Sequence, residues 1–127
     1  MNAEAEASPL IDVRFGGVGA QGIVLAGRLL GKAASLYDGK NAVVTQSYGP
    51  EARGGASRAD VVISDYRVDY PFVLNADVLA VFFQEAYMMF RDRVEPDGLI
   101  LIDDLLVRPE GSHPNLRAVP ATRVAEE

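Results

Sequence analysis

Two glycine-rich segments carry the residues whose types and spacing suit them to bind a charged ligand. The first, residues 17–22, reads Gly-Val-Gly-Ala-Gln-Gly and matches the pattern G-x-G-x-x-G. It follows a predicted strand and opens a predicted helix. Glycines in that position let the chain turn sharply and let a phosphate approach backbone N–H groups at the start of the helix. The first segment therefore predicts a phosphate-binding turn that depends on Gly17, Gly19 and Gly22.

The second segment, residues 47–55, reads Ser-Tyr-Gly-Pro-Glu-Ala-Arg-Gly-Gly and follows the carboxyl end of another predicted strand. Open α/β sheets bind ligands at that end of their strands. Gly54 and Gly55 leave backbone N–H groups available to an anion, and Arg53 offers a fixed fork of donors to phosphate or carboxylate. Glu51 and Arg53 can equally pair with each other and make the segment a rigid packing surface for a partner subunit. Both interpretations stay open.

A nicotinamide or flavin dinucleotide is the first ligand that the G-x-G-x-x-G pattern suggests. Such a site needs an acid near the end of the second strand, about 20 residues further on, to bind the ribose hydroxyls. The predicted second strand ends at Thr45 and Gln46, without an acid, and Asp38 lies in the turn before that strand. The sequence therefore disfavours a dinucleotide. Two possibilities remain: the glycines bind another phosphate-bearing ligand, or they serve only the close packing of strand against helix.

The composition of the 127-residue chain excludes several other kinds of site. No cysteine is present, so this chain holds no disulfide and no thiolate-bound zinc or iron–sulfur cluster. A single histidine, His113, removes nucleophile–histidine pairs and multi-histidine metal sites. Asp103 and Asp104 follow a predicted strand, but without a third ligand we expect them to be solvated acids. We therefore predict no metal site.

The charge and the chain start limit the classes of partner. A net charge of −6 argues against a nucleic-acid partner, which would require a basic surface. Residues 1–9 are polar, acidic and rich in alanine, unlike a targeting peptide, and we expect a disordered tail. The longest apolar runs are far shorter than a membrane span. We therefore predict a soluble cytoplasmic protein that binds neither nucleic acid nor membrane.

Alternating strand and helix patterns must position the two segments. Residues 10–15 predict a first strand ended by Gly16 and Gly17, residues 21–37 a helix, and residues 41–46 a second strand. This βαβ unit is typical of a parallel sheet. Further strands are predicted at residues 59–63, 76–83, 99–102 and 116–119, and a short extended return is predicted at 68–72. A helix is predicted at 84–94 and is followed by a turn at 95–98, and another helix is predicted to start within residues 122–127.

These elements predict an α/β fold, a three-layer α/β/α Rossmann-like domain with a largely parallel sheet. One domain is expected over residues 10–127. Because a domain rarely ends after one helical turn, we expect the chain to be truncated at its carboxyl end. The first helix shows an apolar stripe at helical spacing, formed by Ile23, Gly27, Leu30, Ala34 and Tyr37 and widened by Ala26, Leu29, Ala33 and Leu36.

Together, the two glycine segments resemble the γ subunit or domain of 2-oxoacid:ferredoxin (acceptor) oxidoreductases, the pyruvate, 2-oxoglutarate and branched-chain 2-oxoacid enzymes. The similarity continues through short matches and covers most of residues 10–104. The common form of the first segment has glycine at its fourth position, where Ala20 stands here. If that position needs a positive φ, alanine costs about 1 kcal/mol. If it is the first helical residue, alanine is harmless.

The resemblance implies one subunit of a larger enzyme. Such enzymes decarboxylate a 2-oxoacid on thiamine diphosphate with Mg, pass electrons through [4Fe-4S] clusters to ferredoxin and transfer the acyl group to coenzyme A. The γ part is implied on the coenzyme A side, packed on α and β subunits beside a ferredoxin-like δ subunit. The absence of cysteine agrees with clusters on those partners. The overall sequence similarity favours 2-oxoglutarate, or an aryl or branched 2-oxoacid, over pyruvate as the substrate. The electron acceptor stays open, and NAD reached through a flavin subunit is an alternative to ferredoxin.

The resemblance also implies which residues contact coenzyme A or the thiamine-binding subunits. No residue is implied to act as a catalytic base or nucleophile on this chain. Two alternatives remain: a stand-alone NAD(P)-binding domain, and a purely structural adaptor. The candidate binding residues of both segments are Gly17, Gly19, Ala20, Gln21, Gly22, Tyr48, Gly49, Glu51, Arg53, Gly54 and Gly55.

Overall fold

One mixed sheet with helices on both of its faces forms the protein. A computed structural model describes residues 10–18, 22–47, 56–68 and 73–126. The elements are β1 (Ile11–Val18), α1 (Ile23–Asp38), β2 (Asn41–Ser47), β3 (Ala56–Ser64), β4 (Ala76–Val81), α2 (Gln84–Phe90), β5 (Val94–Asp103), β6 (Leu116–Val119) and α3 (Ala121–Glu126). The predicted tail at residues 1–9, and part of the predicted return at residues 68–72, lie outside the described residues.

The strands have the order β2-β3-β1-β4-β5-β6. The pairs β1–β4, β4–β5 and β5–β6 are parallel, whereas β3 is antiparallel to both β1 and β2. The predicted α/β fold with a mostly parallel sheet is confirmed. The predicted βαβ unit also forms, since β1 and β2 share a direction, but β3 lies between them. Only residues 48–55 join β2 to β3, and a connection that short favours an antiparallel return over a crossover.

Glycines let β1 approach its neighbours closely. Gly16 and Gly17 were predicted to end this strand, but both lie within it, opposite Arg58 and Ser57 of β3. A Cβ at Gly16 would lie 3.0 Å from Cδ2 of Phe90 in α2. The glycine at this position therefore provides room for an aromatic ring against the strand, and the strand continues to Val18.

Helix α1 packs on the opposite face of the sheet through small residues. Its buried residues are Ile23, Gly27, Gly31 and Ala34, a narrow stripe at helical spacing. A Cβ at Gly27 would lie 3.2 Å from Cβ of Ala59, so the helix backbone sits close to β3. The predicted apolar stripe is wider than the buried one. Three residues predicted to belong to it, Tyr37, Leu36 and Leu29, are 85 %, 66 % and 58 % exposed.

The larger core lies on the α2 side of the sheet. Tyr87 and Phe90 of α2 pack there on buried residues of three strands, β3, β4 and β5. Burial of such side chains is the main stabilising term of a small domain. The core also contains Val62, Val73, Ala76, Leu79, Val81, Ala86, Ile100, Ile102 and Val107.

Two predicted boundaries in the second half of the chain are wrong. The helix predicted over residues 84–94 ends at Phe90, and the residues predicted as a turn at 95–98 belong to β5. Gly98 permits this early start, because a Cβ there would lie 3.1 Å from the backbone oxygen of Ala76. The terminal helix forms as α3, where the Val124 N–H donates to the Pro120 carbonyl at 2.9 Å. Within the described ranges, no helix is long and apolar enough to span a membrane.

Candidate functional site

Both glycine segments leave the sheet at the same edge, from strands β1 and β2 on either side of β3. Strand β1 ends at Val18, which pairs with Ala56, the first residue of β3. Strand β2 ends at Ser47, which pairs with Arg58 of β3. Residues 19–21 therefore follow β1 beside the place where residues 48–55 enter β3. The fold brings the ends of two segments that are about 30 residues apart in sequence to one place, which is the requirement for a shared site.

Only two of the predicted site residues lie in the described part of the chain, Gly17 and Gly22. Gly17 lies in β1 and Gly22 directly before α1, at the two ends of the first segment. The binding roles of all eleven residues stay predictions, and nine of them lie outside the described residues. Those nine are Gly19, Ala20, Gln21, Tyr48, Gly49, Glu51, Arg53, Gly54 and Gly55.

Gly22 forms the amino-terminal cap of α1 in a left-handed conformation, with φ 84° and ψ 10°. A residue with a Cβ is strained there, so glycine is the natural occupant. The Gly22 carbonyl accepts the Ala26 N–H at 2.8 Å, which begins the helix, and no side chain caps the helix start. The first N–H groups of a helix have no acceptor within it and carry a partial positive charge. The first turn also lacks an acidic residue that would compete with an anion.

A cleft of about 210 Å³ opens at the carboxyl ends of the parallel strands, beside the start of α1. Gly22, Ile23 and Ala26 form one wall, and Phe82 and Thr122 contribute to the remainder. Much of its lining is apolar. The cleft lies where α/β sheets bind ligands, and an apolar part of a ligand would fit beside a phosphate held by the glycine segment.

Asp103 lies in the wall of this cleft and is fully buried, contrary to its prediction as a solvated acid. Its Oδ1 accepts the Leu105 N–H at 3.2 Å, and its Oδ2 accepts the Thr122 hydroxyl. The carboxylate therefore joins the end of β5 to α3. Among the described residues, no group of three or more acidic, histidine or cysteine side chains could hold a metal ion.

Beneath the site, a buried ion pair holds β1 to β3. Arg14 donates from Nε and Nη2 to the two oxygens of Asp60, at 2.8 and 3.0 Å, and both residues are at most 3 % exposed. Nη2 also donates to the Val73 carbonyl at 2.6 Å, and the guanidinium lies 5.1 Å from the ring centre of Phe90. The sequence analysis missed this pair, because nothing local marks two residues 46 positions apart as partners.

Ser57 is a second residue that the sequence analysis missed. It is the second residue of β3, it pairs with Gly17, and it is only 3 % exposed. Its Oγ is the one buried side-chain polar atom in the described part of the chain that has no hydrogen-bond partner there. The signal in the sequence is weak: a hydroxyl two residues after the second glycine segment.

Comparisons with known proteins identify the family to which the chain is similar. A model of the pyruvate ferredoxin/flavodoxin oxidoreductase family matches residues 12–127. The chain is 47 % identical over 119 residues to 2-oxoglutarate synthase subunit KorC of Methanocaldococcus jannaschii, covering 91 % of this chain and 64 % of that protein. It is 36 % identical over 119 residues to ketoisovalerate oxidoreductase subunit VorA of Methanothermobacter thermautotrophicus, covering 94 % of this chain and 25 % of that protein. The chain thus spans less than two thirds of the length of these relatives.

Solved structures give the same result. The γ subunit of a keto/oxoacid ferredoxin oxidoreductase from Geobacter sulfurreducens PCA superimposes with a TM-score of 0.74 at 41 % identity, covering 87 % of this chain and 59 % of that one. The 2-oxoglutarate:ferredoxin oxidoreductase of Magnetococcus marinus, solved with 2-oxoglutarate, coenzyme A and succinyl-CoA bound, shares the fold with a TM-score of 0.75 at 21 % identity, covering 92 % of this chain and 21 % of that one.

Proposed function

The chain belongs to the pyruvate ferredoxin/flavodoxin oxidoreductase family, and we propose that it works as the γ-type part of a heteromeric 2-oxoacid:acceptor oxidoreductase. Its relatives are subunits of enzyme complexes. In this proposal the complex oxidatively decarboxylates a 2-oxoacid to its acyl-CoA and passes the electrons to ferredoxin. This chain forms part of the coenzyme A side and helps to assemble the complex.

The observation that carries the coenzyme A proposal is the common edge from which both glycine segments leave the sheet. Coenzyme A has several phosphate groups and a long, less polar arm. The start of α1 at Gly22 offers free N–H groups and the positive end of the helix to a phosphate. The adjoining cleft of about 210 Å³ offers apolar walls to an uncharged part of the ligand. Gln21 and Arg53 would add polar contacts from the two segments, while Tyr48 and Glu51 would shape the same edge or lock it to a partner.

The proposal places the redox chemistry on partner subunits. This chain has no cysteine and therefore cannot supply the thiolates that hold [4Fe-4S] clusters. Thiamine diphosphate and its Mg are likewise assigned to the α and β subunits, and the clusters to a ferredoxin-like δ subunit. The role left to this chain is binding and orientation, for which hydrogen-bond donors suffice and no proton-transfer group is required.

We propose 2-oxoglutarate as the substrate of the complex. Two relatives named as 2-oxoglutarate synthase subunits are 47 % and 49 % identical to this chain. A relative named as a ketoisovalerate enzyme subunit is 36 % identical, and one named as a pyruvate synthase subunit is 38 % identical over only 79 residues. The identities favour the first substrate. Comparing the activity of the assembled complex on the three 2-oxoacids tests this choice, and faster turnover of pyruvate or ketoisovalerate would contradict it.

Two features weigh against the alternative of a dinucleotide-binding domain. Strand β2 ends at Gln46 and Ser47 without the acid that binds ribose hydroxyls. In addition, β3 separates β2 from β1, so the end of β2 is one strand further from the first glycine segment than in a Rossmann site. A structural adaptor would make the same contacts with its partners as the proposed γ-type part makes. The two roles differ only in whether the chain binds a small molecule.

Calorimetric titration of coenzyme A into the assembled complex provides that separation, with NAD as the control ligand. Gly22 and Gly39 cap the two ends of α1, and both have positive φ. At either position, a Cβ would meet no described atom within 4 Å. Substitution of either by alanine strains the same helix without a clash, so Gly39→Ala is a matched control for Gly22→Ala.

We expect Arg53→Ala to weaken coenzyme A binding about tenfold or more, because it removes hydrogen bonds to a charged group. Gly22→Ala keeps its backbone N–H but strains the left-handed cap that orients the first N–H groups of α1, so it should weaken binding as well. Gly39→Ala should leave the affinity unchanged, and NAD should not bind. Size-exclusion chromatography checks that each variant complex still assembles. If all three variants bind coenzyme A as tightly as the wild-type complex does, the structural adaptor is supported instead.

A further inference from the structure

A second cleft, of about 240 Å³, lies beside the end of α2, on the face of the sheet opposite α1. It shares no lining residue with the cleft beside Gly22. Three of its five lining residues are arginines, and none is acidic, so three cations face one space without a carboxylate among them. The lining residues are Arg14, Arg58, Met89, Phe90 and Arg93.

Three separate elements bring these arginines together. Arg14 of β1 lies opposite Asp60 of β3, and Arg58 precedes Asp60 by two residues. Side chains alternate along a strand, so both arginines lie on the α2 face of the sheet. Arg93 lies in the turn between α2 and β5, where its N–H donates to the Phe90 carbonyl at 2.9 Å. The cluster therefore results from the tertiary fold and not from a basic run in the sequence.

Two of the three guanidinium groups have donors that the described part of the chain leaves free. Arg14 is held by Asp60 and by the Val73 carbonyl. Arg58 is partly exposed, and its Nε lies 3.9 Å from Oδ2 of Asp60, which is too far for a hydrogen bond. Arg93 is exposed and makes no ion pair or side-chain hydrogen bond with another described residue. Three positive charges and the negative charge of Asp60 leave a net charge of about +2.

We propose that this cleft binds a dianion of the phosphate type, to which Arg58 and Arg93 donate hydrogen bonds. Guanidinium groups match the geometry of phosphate oxygens, and a cleft lined by charges of one sign attracts the opposite sign. A dianion balances the residual charge, to which the buried Arg14 contributes from the sheet. Met89 is 43 % exposed and offers an apolar wall to the uncharged part of a phosphate ester.

Binding of inorganic phosphate to the full chain tests this site, with sodium chloride used to hold the ionic strength constant. A ligand that binds only the folded state raises the melting temperature, and we expect a rise of about 3 °C or more near saturation. Calorimetric titration should show about tenfold weaker phosphate binding by Arg58→Ala and by Arg93→Ala. Arg117→Ala is the matched control, because Arg117 is exposed on β6 and lines no part of the cleft. It should bind phosphate as wild type does.

Two results would overturn the phosphate site. One is the absence of any rise in the wild-type melting temperature. The other is an equal rise in wild type, Arg58→Ala and Arg93→Ala, which is the general effect of a salt excluded from protein surfaces. Succinate provides a further control for the chemistry of the ligand. If succinate binds as tightly as phosphate through the same arginines, the cleft binds carboxylates and the phosphate assignment is overturned.

Phenyl phosphate distinguishes the two sources of a phosphate group. Tighter binding of phenyl phosphate than of inorganic phosphate, with the difference lost in Met89→Ser, identifies a phosphate ester as the ligand. Equal binding of the two compounds identifies free phosphate. These measurements contain no coenzyme A and no partner subunit, so failure of the phosphate site leaves the proposed function standing.

Discussion

Arg14 of β1 donates hydrogen bonds to both carboxylate oxygens of Asp60 in β3, with neither residue more than 3 % exposed. The pair lies on the α2 face of the sheet, whereas Ser57 lies on the α1 face of the same β1–β3 ladder. It holds β1, from which the first glycine segment extends, to β3, into which the second segment leads. A buried pair of this kind is costly to break, because removing one partner leaves a buried charge with less compensation, which for Asp60 is Arg58, with its Nε 3.9 Å from Oδ2.

Loss of one partner from this pair should therefore destabilise the fold more than loss of both. We expect Arg14→Met and Asp60→Leu each to lower the free energy of unfolding by about 3–5 kcal/mol. The double variant should lose less than either single variant does. Chemical denaturation of all four proteins measures these differences. Additive losses would show that the two side chains act independently.

Close packing of α1 on β2 depends on Gly31. A Cβ at this position would lie 2.8 Å from Cγ2 of Val44, a distance that ordinary contacts do not reach. We expect Gly31→Ala to lower the free energy of unfolding by roughly 1–3 kcal/mol, as overpacked cores do. In a Val44→Ala background the same substitution should cost less, because the opposing methyl group is gone. An equal cost in both backgrounds, measured by denaturant titration, would mean that the contact is not the cause.

The stability of the protein should depend on the ionisation of Asp12. Partial burial, followed by the nearby carboxylates of Asp77, Asp60 and Glu95, raises the pKa of Asp12 above its ordinary value of 3.8, while Arg14 opposes this. A raised pKa means that the folded state binds the proton more tightly than the unfolded state does. The contribution of Asp12 to stability therefore falls as pH rises from 3.8 through the folded pKa.

Asp12→Asn removes this ionisation and provides the test. We expect the variant to gain stability relative to wild type at neutral pH. This gain should shrink as the pH falls through the raised folded-state pKa of Asp12, and it should be lost below the ordinary aspartate value of 3.8. Urea denaturation of both proteins across that pH range measures the difference between their free energies of unfolding. Groups that titrate in both proteins cancel in this difference. A difference that does not change with pH would contradict the assignment.

The bond between Thr122 and the buried Asp103 should anchor α3 to the end of β5. We expect Thr122→Val to destabilise the protein by about 1–3 kcal/mol, because a buried carboxylate loses a donor. Thr122→Ser retains the hydroxyl and should recover most of that loss. Hydrogen exchange of the α3 amides provides the local measurement. Equal protection in the valine and serine variants would show that the hydroxyl does not hold the helix.

The sequence predicts the elements of this fold better than their arrangement. Alternating and helical apolar patterns correctly predict β1, α1 and β2, because those patterns are local. The insertion of β3 between β1 and β2 depends on the direction of a return through residues 48–55, which no periodicity encodes. Gly16 was predicted to end β1, because glycine usually weakens strands, but it lies within the strand and leaves room for the ring of Phe90. The contact with a residue distant in sequence decides its conformation.

The candidate site shows the same division. The glycine segments are recognisable because their residue types are unusual, and their common edge follows from the strand pairing of Val18 with Ala56. Ser57 and Arg14 could not be selected in advance. Their significance comes from burial and from partners, or the lack of them, which only the three-dimensional structure provides.

Affinity purification of the tagged chain from its native cells, with mass spectrometry of the recovered proteins, tests the central claim most directly. We expect recovery of a thiamine diphosphate-dependent enzyme chain and a cysteine-rich, ferredoxin-like chain, in a complex that oxidises 2-oxoglutarate only when coenzyme A is present. Recovery of the chain alone, with binding of a nicotinamide nucleotide and not of coenzyme A, would contradict it.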